Sequence, residues 1–146
     1  MTMGEKRSGG TTSVVTMLES TLDSVDVAEG IVLKAAEEIG FAEEVRYQIG
    51  MAVRESMVNA VVHGNRYNEN KRVRLEVQKE PDKLTIKVAD EGRGFDPKDL
   101  PDPLAEENLM NQSGRGIFLI QAFMDEFEVR RAEPAGTEYT LVKHKK

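Results

Sequence analysis

Glu55 and Asn59 lie four residues apart in Ala52-Val53-Arg54-Glu55-Ser56-Met57-Val58-Asn59-Ala60-Val61-Val62-His63, a largely apolar run. On a helix, that spacing leaves two side chains roughly 40° apart around the axis and one turn along it. A carboxylate there can accept a proton, and an amide oxygen can ligate a hard cation. Mg²⁺ favours few protein oxygens beside water and phosphate, so a single Asn is chemically sufficient. The alternative is the solvated edge of an amphipathic helix, and the pair alone leaves both readings open. His63 falls another turn along. It is either a group beside the same cleft or a helix-end residue compensating the C-terminal dipole.

Three further motifs carry chemistry. Asp90-Glu91-Gly92-Arg93-Gly94-Phe95 directly follows an alternating strand pattern. Two glycines one residue apart let backbone approach a flat ligand, and Asp90 at the strand end can accept a hydrogen bond from an exocyclic amine. A plain β-turn is the alternative. Ser113-Gly114-Arg115-Gly116 opens a short helical stretch. A helix N-terminus presents free N–H groups and its dipole favours anions. Arg115 adds a guanidinium fork matched to phosphate. The alternative is an ordinary glycine-rich loop. Gly136-Thr137, before the last strand, says by itself only that the chain turns.

These motifs must be positioned by regular elements. Residues 1–12 are rich in Gly, Ser and Thr and read as a flexible tail, leaving residues 13–146 as one domain. Thr12 to Glu19 reads as a strand. Asp26 is the expected N-cap of a helix from Val27 to Ile39, stopped by Gly40. A longer helix is expected from Glu43 to His63, ending at Gly64, with Val45, Ile49, Ala52, Val53, Met57 and Ala60 as its core stripe. Val73, Leu75 and Val77, then Leu84, Ile86 and Val88 after Pro81-Asp82, alternate with polar residues as a hairpin with one buried face. Phe95 to Ser113, with three prolines, reads as a long functional loop. A short helix from Ile117 to Met124 precedes strands at Phe127 to Arg131 and Glu138 to Lys143, around a turn at Pro134-Ala135-Gly136. Met51, Met57, Met110 and Met124 read as core and lid packing. Early helices and later strands predict an α+β, two-layer sandwich: a mostly antiparallel mixed sheet with helices on one face.

Composition removes several classes of function. The chain of 146 residues carries 20 Lys and Arg against 26 Asp and Glu, a net charge of −6, so no domain-wide basic face serves a phosphate backbone. It contains no Cys, hence no disulfide, thiol nucleophile or thiolate zinc site, and its two His argue against a His-rich metal site. No apolar run approaches the roughly 20 residues of a bilayer span. The first twelve residues have no apolar core of a signal peptide. The expectation is a soluble cytoplasmic protein.

Taken together and in this order, the four motifs resemble the GHKL, or Bergerat-fold, ATP-binding superfamily over about Val14 to Val142. Glu55-Ser56-Met57-Val58-Asn59-Ala60 is similar to its asparagine box. Asp90-Glu91-Gly92-Arg93-Gly94 resembles the first glycine box, Gly114-Arg115-Gly116 the second and Gly136-Thr137 the last. The continuation Asn59-Ala60-x-x-His63-Gly64-Asn65, with Gly116-Ile117-Phe118-Leu119-Ile120 running to Met124-Asp125-Glu126, is most like the stand-alone anti-sigma-factor serine kinases.

The resemblance implies ATP and Mg²⁺ as cofactors. Asn59 would hold Mg²⁺, and Glu55 would be the general base. Asp90 would read the adenine amine, with Thr137 supporting it through water. Gly92 and Gly94 would pass close to the adenine, while Gly114, Arg115 and Gly116 would cradle the phosphates under a lid formed by the loop from Phe95 to Ser113. His63 is carried as a nucleotide-proximal residue. Arg54 departs from the small polar residue common at its position in relatives, but adjacent helical side chains do not face each other. The implied partners are a sigma factor and an anti-sigma-factor antagonist, and a homodimer is an expectation from resemblance alone. A serine kinase that also sequesters a sigma factor competes with a non-catalytic, ATP-gated binding module. Glu55 favours the enzyme. A catalytic fragment of a larger ATPase or histidine kinase is the third reading, and the length argues against it.

Overall fold

The computed structural model describes residues 2–8, 10–92 and 112–146. Its order is β1 (Thr2–Ser8), β2 (Thr11–Glu19), α1 (Asp23–Ile39), α2 (Glu43–Val58), a π turn (Asn59–Gly64), β3 (Arg72–Glu80), β4 (Lys83–Ala89), α3 (Gln112–Phe123), β5 (Glu126–Arg131) and β6 (Thr137–His144). The sheet runs β1-β2-β3-β4-β6-β5, and every described pairing is antiparallel. This is the α+β sandwich that the alternation of periods predicts.

The hairpin pattern fixes the register. Leu75 lies opposite Val88 and Val77 opposite Ile86, so the apolar set of both strands faces the same side. A one-residue slip would turn that set to solvent. Against it pack Val25, Ala28, Val32 and Ala36 of α1 and Ile49, Ala52, Val53 and Met57 of α2, all within one core. Met57 is fully buried, and burying such a side chain stabilises by roughly 1.5–3 kcal/mol. Met124 is buried as expected, whereas Met110 lies outside the described residues.

Several boundaries differ from the sequence reading. The expected N-terminal tail forms β1 over Thr2–Ser8, paired with β2 from Thr2 opposite Met17 to Ser8 opposite Thr11. Main-chain pairing to an existing strand needs no apolar pattern, which is why composition misread it. Helix α1 starts at Asp23, before the expected cap Asp26, and Leu22 at its N-cap makes no side-chain cap bond. Asp26 is instead in the first turn, where a carboxylate complements the dipole. At the other end Gly40 has φ 101°, and its N–H reaches the carbonyls of Ala36 and Glu37, as the stop signal requires.

The long second helix is not α-helical to His63. It changes at Asn59 into a π turn that ends at Gly64, with Asn65 N–H donating to Ala60 O at 2.8 Å, five residues back. Helix α3 begins at Gln112, five residues before the expected Ile117, so Gly114 and Arg115 fall within its first turn. Gly94 and residues 95–111 of the expected lid lie outside the described residues.

Candidate functional site

The C-terminal end of α2, the π turn, the end of β4 and the start of β6 converge on one corner of the sandwich. Asp90 is the centre of that corner. It immediately follows β4 and is only 2% exposed. Its Oδ1 accepts hydrogen bonds from Gly92 N–H at 2.9 Å and Thr137 N–H at 3.0 Å. Its own N–H donates to Thr137 O at 2.9 Å. The backbone of Thr137, in the last motif, therefore clamps Asp90. Thr137 is itself buried. Burial pushes the Asp90 carboxyl above the ordinary aspartate value, and the N–H groups of Gly92 and Thr137 oppose that rise.

Three glycines close around this aspartate. A Cβ built on Gly64 would overlap the Asp90 carboxylate, one on Gly92 would overlap the Gly64 carbonyl, and one on Gly136 would overlap the Asp90 carbonyl. Gly136 also has φ 105°, a region that disfavours side-chain-bearing residues. From the residues alone Gly64 reads as a helix stop and Gly136 as part of a turn, and the resemblance adds them to family-like motifs without naming what they touch. In the structure each is a contact point for Asp90.

The other end of the site is carried by helices. Glu55 on α2 is half-buried. Gly116 of α3 faces it so closely that a Cβ there would come within 2.7 Å of Glu55 Oε2. Asn59 begins the π turn and is 5% exposed. The turn that starts at Asn59 ends at Gly64, against Asp90, so one segment joins the two ends of the site. His63 is exposed on the same turn, unlike Asn59. Gly114 and Arg115 are placed by the backbone of α3, while the side chain of Arg115 lies outside what is described.

Among the described residues, three buried side-chain polar atoms have no hydrogen-bond partner, and two of them are Asn59 Nδ2 and Asp90 Oδ2. Buried polar groups are normally paired, so an orphan needs an explanation. A bound polar ligand at this corner supplies one. The two ends of an amide are nearly isosteric, so the Asn59 position also suits the carbonyl oxygen that a cation needs. The glycine cradle and these two orphans fit a nucleotide with its divalent ion.

The sequence profile of the histidine kinase-like ATPase domain family matches residues 18–143. The chain belongs to this family. Within it, the chain is similar to an anti-sigma F factor of Clostridium beijerinckii, 32% identical over 94 residues, covering 63% of this chain and 66% of that protein. It is similar to a serine-protein kinase RsbW of Oceanobacillus iheyensis, 29% identical over 111 residues, covering 72% and 70%. Another serine-protein kinase RsbW, from Listeria innocua, is 28% identical over 100 residues, covering 64% of each chain. The described parts of the four motifs, far apart in sequence, meet at one end of the sheet. Among the described residues no helix is long and apolar enough to cross a membrane.

Arg54 is resolved by geometry. Its guanidinium pairs with Asp26 at 2.7 Å and Glu29 at 3.3 Å, both on α1. Adjacent to Glu55 in sequence, it serves the other side of the helix. Asn65 was seen only as part of a family-like continuation, yet it is 2% exposed and bonded to Ser20, Arg72 and Glu91. A polar residue straight after a helix-stopping glycine is an ordinary loop signal, so nothing local marked it.

Proposed function

We propose that this chain is an anti-sigma factor and protein-serine kinase. It binds Mg-ATP and transfers the γ-phosphoryl group to a serine or threonine hydroxyl of an anti-sigma-factor antagonist. That transfer would switch the sigma factor's partners and so regulate transcription. The relatives' names support the class of activity. The single observation that carries the reading is the pair of buried orphan atoms, on Asn59, which opens the π turn, and on Asp90, which packs against the glycine that closes it.

Mg-ATP supplies the phosphoryl group and the divalent charge that offsets it. The chain's own residues do the rest. Asn59 would hold the cation through its amide oxygen. Asp90, clamped by Gly92 and Thr137, accepts a hydrogen bond from the adenine amine, with Thr137 supporting it through water. Gly92 and Gly94 let backbone approach the base, and Gly114, Arg115 and Gly116 cradle the phosphates at the start of α3. Glu55 accepts the proton of the attacking hydroxyl. Phosphoryl transfer depends mainly on positioning and charge stabilisation, which this arrangement provides.

Intact-mass measurement of candidate antagonist proteins, incubated with this protein and Mg-ATP, tests the proposal. A gain of one phosphoryl group is the expected result. An antagonist that binds in an ATP-dependent way yet gains no mass would overturn catalysis and leave an ATP-gated binding module.

A further inference from the structure

We infer that Asn65 is a positioning residue for base recognition, fixing the Asp90 carboxylate by anchoring Glu91, which follows it, and the Gly64 backbone that packs against it. The inference rests on the reading of Asp90 as the acceptor for the adenine amine. Asn65 does not touch that position itself.

The buried amide is used at both ends. Nδ2 donates to Ser20 Oγ at 2.9 Å and to Arg72 O at 3.1 Å, while Oδ1 accepts from Glu91 N–H at 2.8 Å. Ser20 Oγ in turn donates to Lys71 O at 2.6 Å. The Glu91 carboxylate accepts from Arg72 N–H at 2.5 Å. One side chain thus ties together the exit of β2, the start of β3, the residue after Asp90 and the exit of the π turn. Its neighbours in sequence complete the case. Gly64 precedes Asn65 and lies against the Asp90 carboxylate. Glu91, held by Asn65, follows Asp90 directly. A shift of either segment moves the carboxylate.

The backbone beyond Asn65 also points to a constrained element. Arg66 has φ 52° and Tyr67 φ 59°, two consecutive non-glycine residues in the left-handed region. Such conformations persist where surrounding contacts over-determine them. Here the contacts include Tyr67 N–H to Val61 O at 3.0 Å and Asn68 N–H to Asn65 O at 3.0 Å. The chain turns back sharply out of the π turn, and that turn delivers the Asn65 amide to the interior.

The test compares calorimetric affinities of the full chain for Mg-ATP and Mg-ITP, in which an oxo group replaces the exocyclic amine. The parent should favour ATP by about tenfold or more, the scale of a hydrogen bond to a charged acceptor. Asn65→Ala should reduce that preference to about threefold or less, mainly by weakening ATP. Ser20→Ala removes the far side of the same network and leaves the Asn65–Glu91 bond in place. It should lower the melting temperature comparably yet keep the preference. A folded Asn65→Ala protein with parental discrimination overturns the inference, as does an equal loss in Ser20→Ala, which would mark a merely structural network. Should Asn65→Ala fail to fold, Asn65→Ser, whose shorter hydroxyl cannot span the same partners, is read by the same criteria. A parent that binds both nucleotides equally overturns the base-recognition reading itself, and this inference with it, before any variant is compared.

Discussion

The two ends of the candidate site are built from different materials. Around Asp90 the partners are main-chain groups and glycines: the N–H of Gly92 and Thr137, the carbonyl of Thr137, and the close approach of Gly64 and Gly136. Around Glu55 and Asn59 the working groups are side chains on α2 and the π turn, with α3 laid against them through Gly116. The first end is a fixed socket that a single added methyl group would fill. The second is a set of chemical groups on helices that meet at one glycine. On the proposed function, recognition and reaction have separable structural bases, and substitutions should divide the same way.

The largest effect is expected at the reacting end. Glu55→Gln keeps the size and one oxygen but removes the base. Phosphotransfer to an antagonist should fall within the range of about 10²–10⁴-fold typical of general bases. The loose transition state of phosphoryl transfer places the loss toward the lower limit. Mg-ATP affinity, measured by calorimetry, should be retained. Transfer at the parental rate would remove Glu55 from its assigned role. Loss of affinity together with transfer would break the separation of the two ends.

A matched pair of glycine substitutions sharpens the comparison. Gly64→Ala drives a methyl group into the Asp90 carboxylate, beside backbone that has little freedom to move. ATP affinity should fall by about tenfold or more, since each 1.4 kcal/mol is a factor of ten. Gly116→Ala meets Glu55 Oε2, the far end of a flexible side chain, at 2.7 Å. That carboxylate can swing aside, so affinity should fall by less than in Gly64→Ala while turnover drops. Binding and single-turnover measurements on both variants decide the matter. The opposite pattern would show that the socket and the base were assigned to the wrong ends.

The same difference explains what was legible in the sequence. Glu55 and Asn59 are conspicuous in the sequence because their polar side chains interrupt an apolar helix. The hairpin from Val73 to Val88 was legible because its period-two pattern has one buried face. The contacts of Gly64, Gly136 and Asn65 were not, although all three fall inside family-like motifs, because a residue's role in close packing depends on which residue it meets. The partner of Gly64 is Asp90, far along the chain. Two errors of extent have the same origin. The π turn preserves an apolar pattern while changing the hydrogen bonding beneath it, so periodicity ran straight through to His63. Strand β1 is held by main-chain pairing that composition does not encode.

The smallest effect is expected at Arg54, and it bears on whether the reacting end is insulated from α1. Arg54 adjoins Glu55 in sequence, and its guanidinium carries a full charge. Its nearest carboxylates are nevertheless Asp26 and Glu29, at 2.7 and 3.3 Å on α1. The side chains of Arg54 and Asp26 are 39% and 71% exposed, so solvent screens most of the attraction. Exposed pairs of this kind contribute about 0.2–1 kcal/mol. Arg54→Ser should therefore lower stability to chemical denaturation by at most about 1 kcal/mol. The difference from the parent should shrink as salt rises, because the Debye length is about 10 Å at 0.1 M and falls further above it. Phosphotransfer should stay at the parental rate, since the substitution breaks contacts to α1 and none to Glu55. A tenfold change in transfer, with stability unaffected, would mean that the field of Arg54 reaches the base around the helix. The reacting end would then extend onto α1, and its separation from the rest of the fold would be lost.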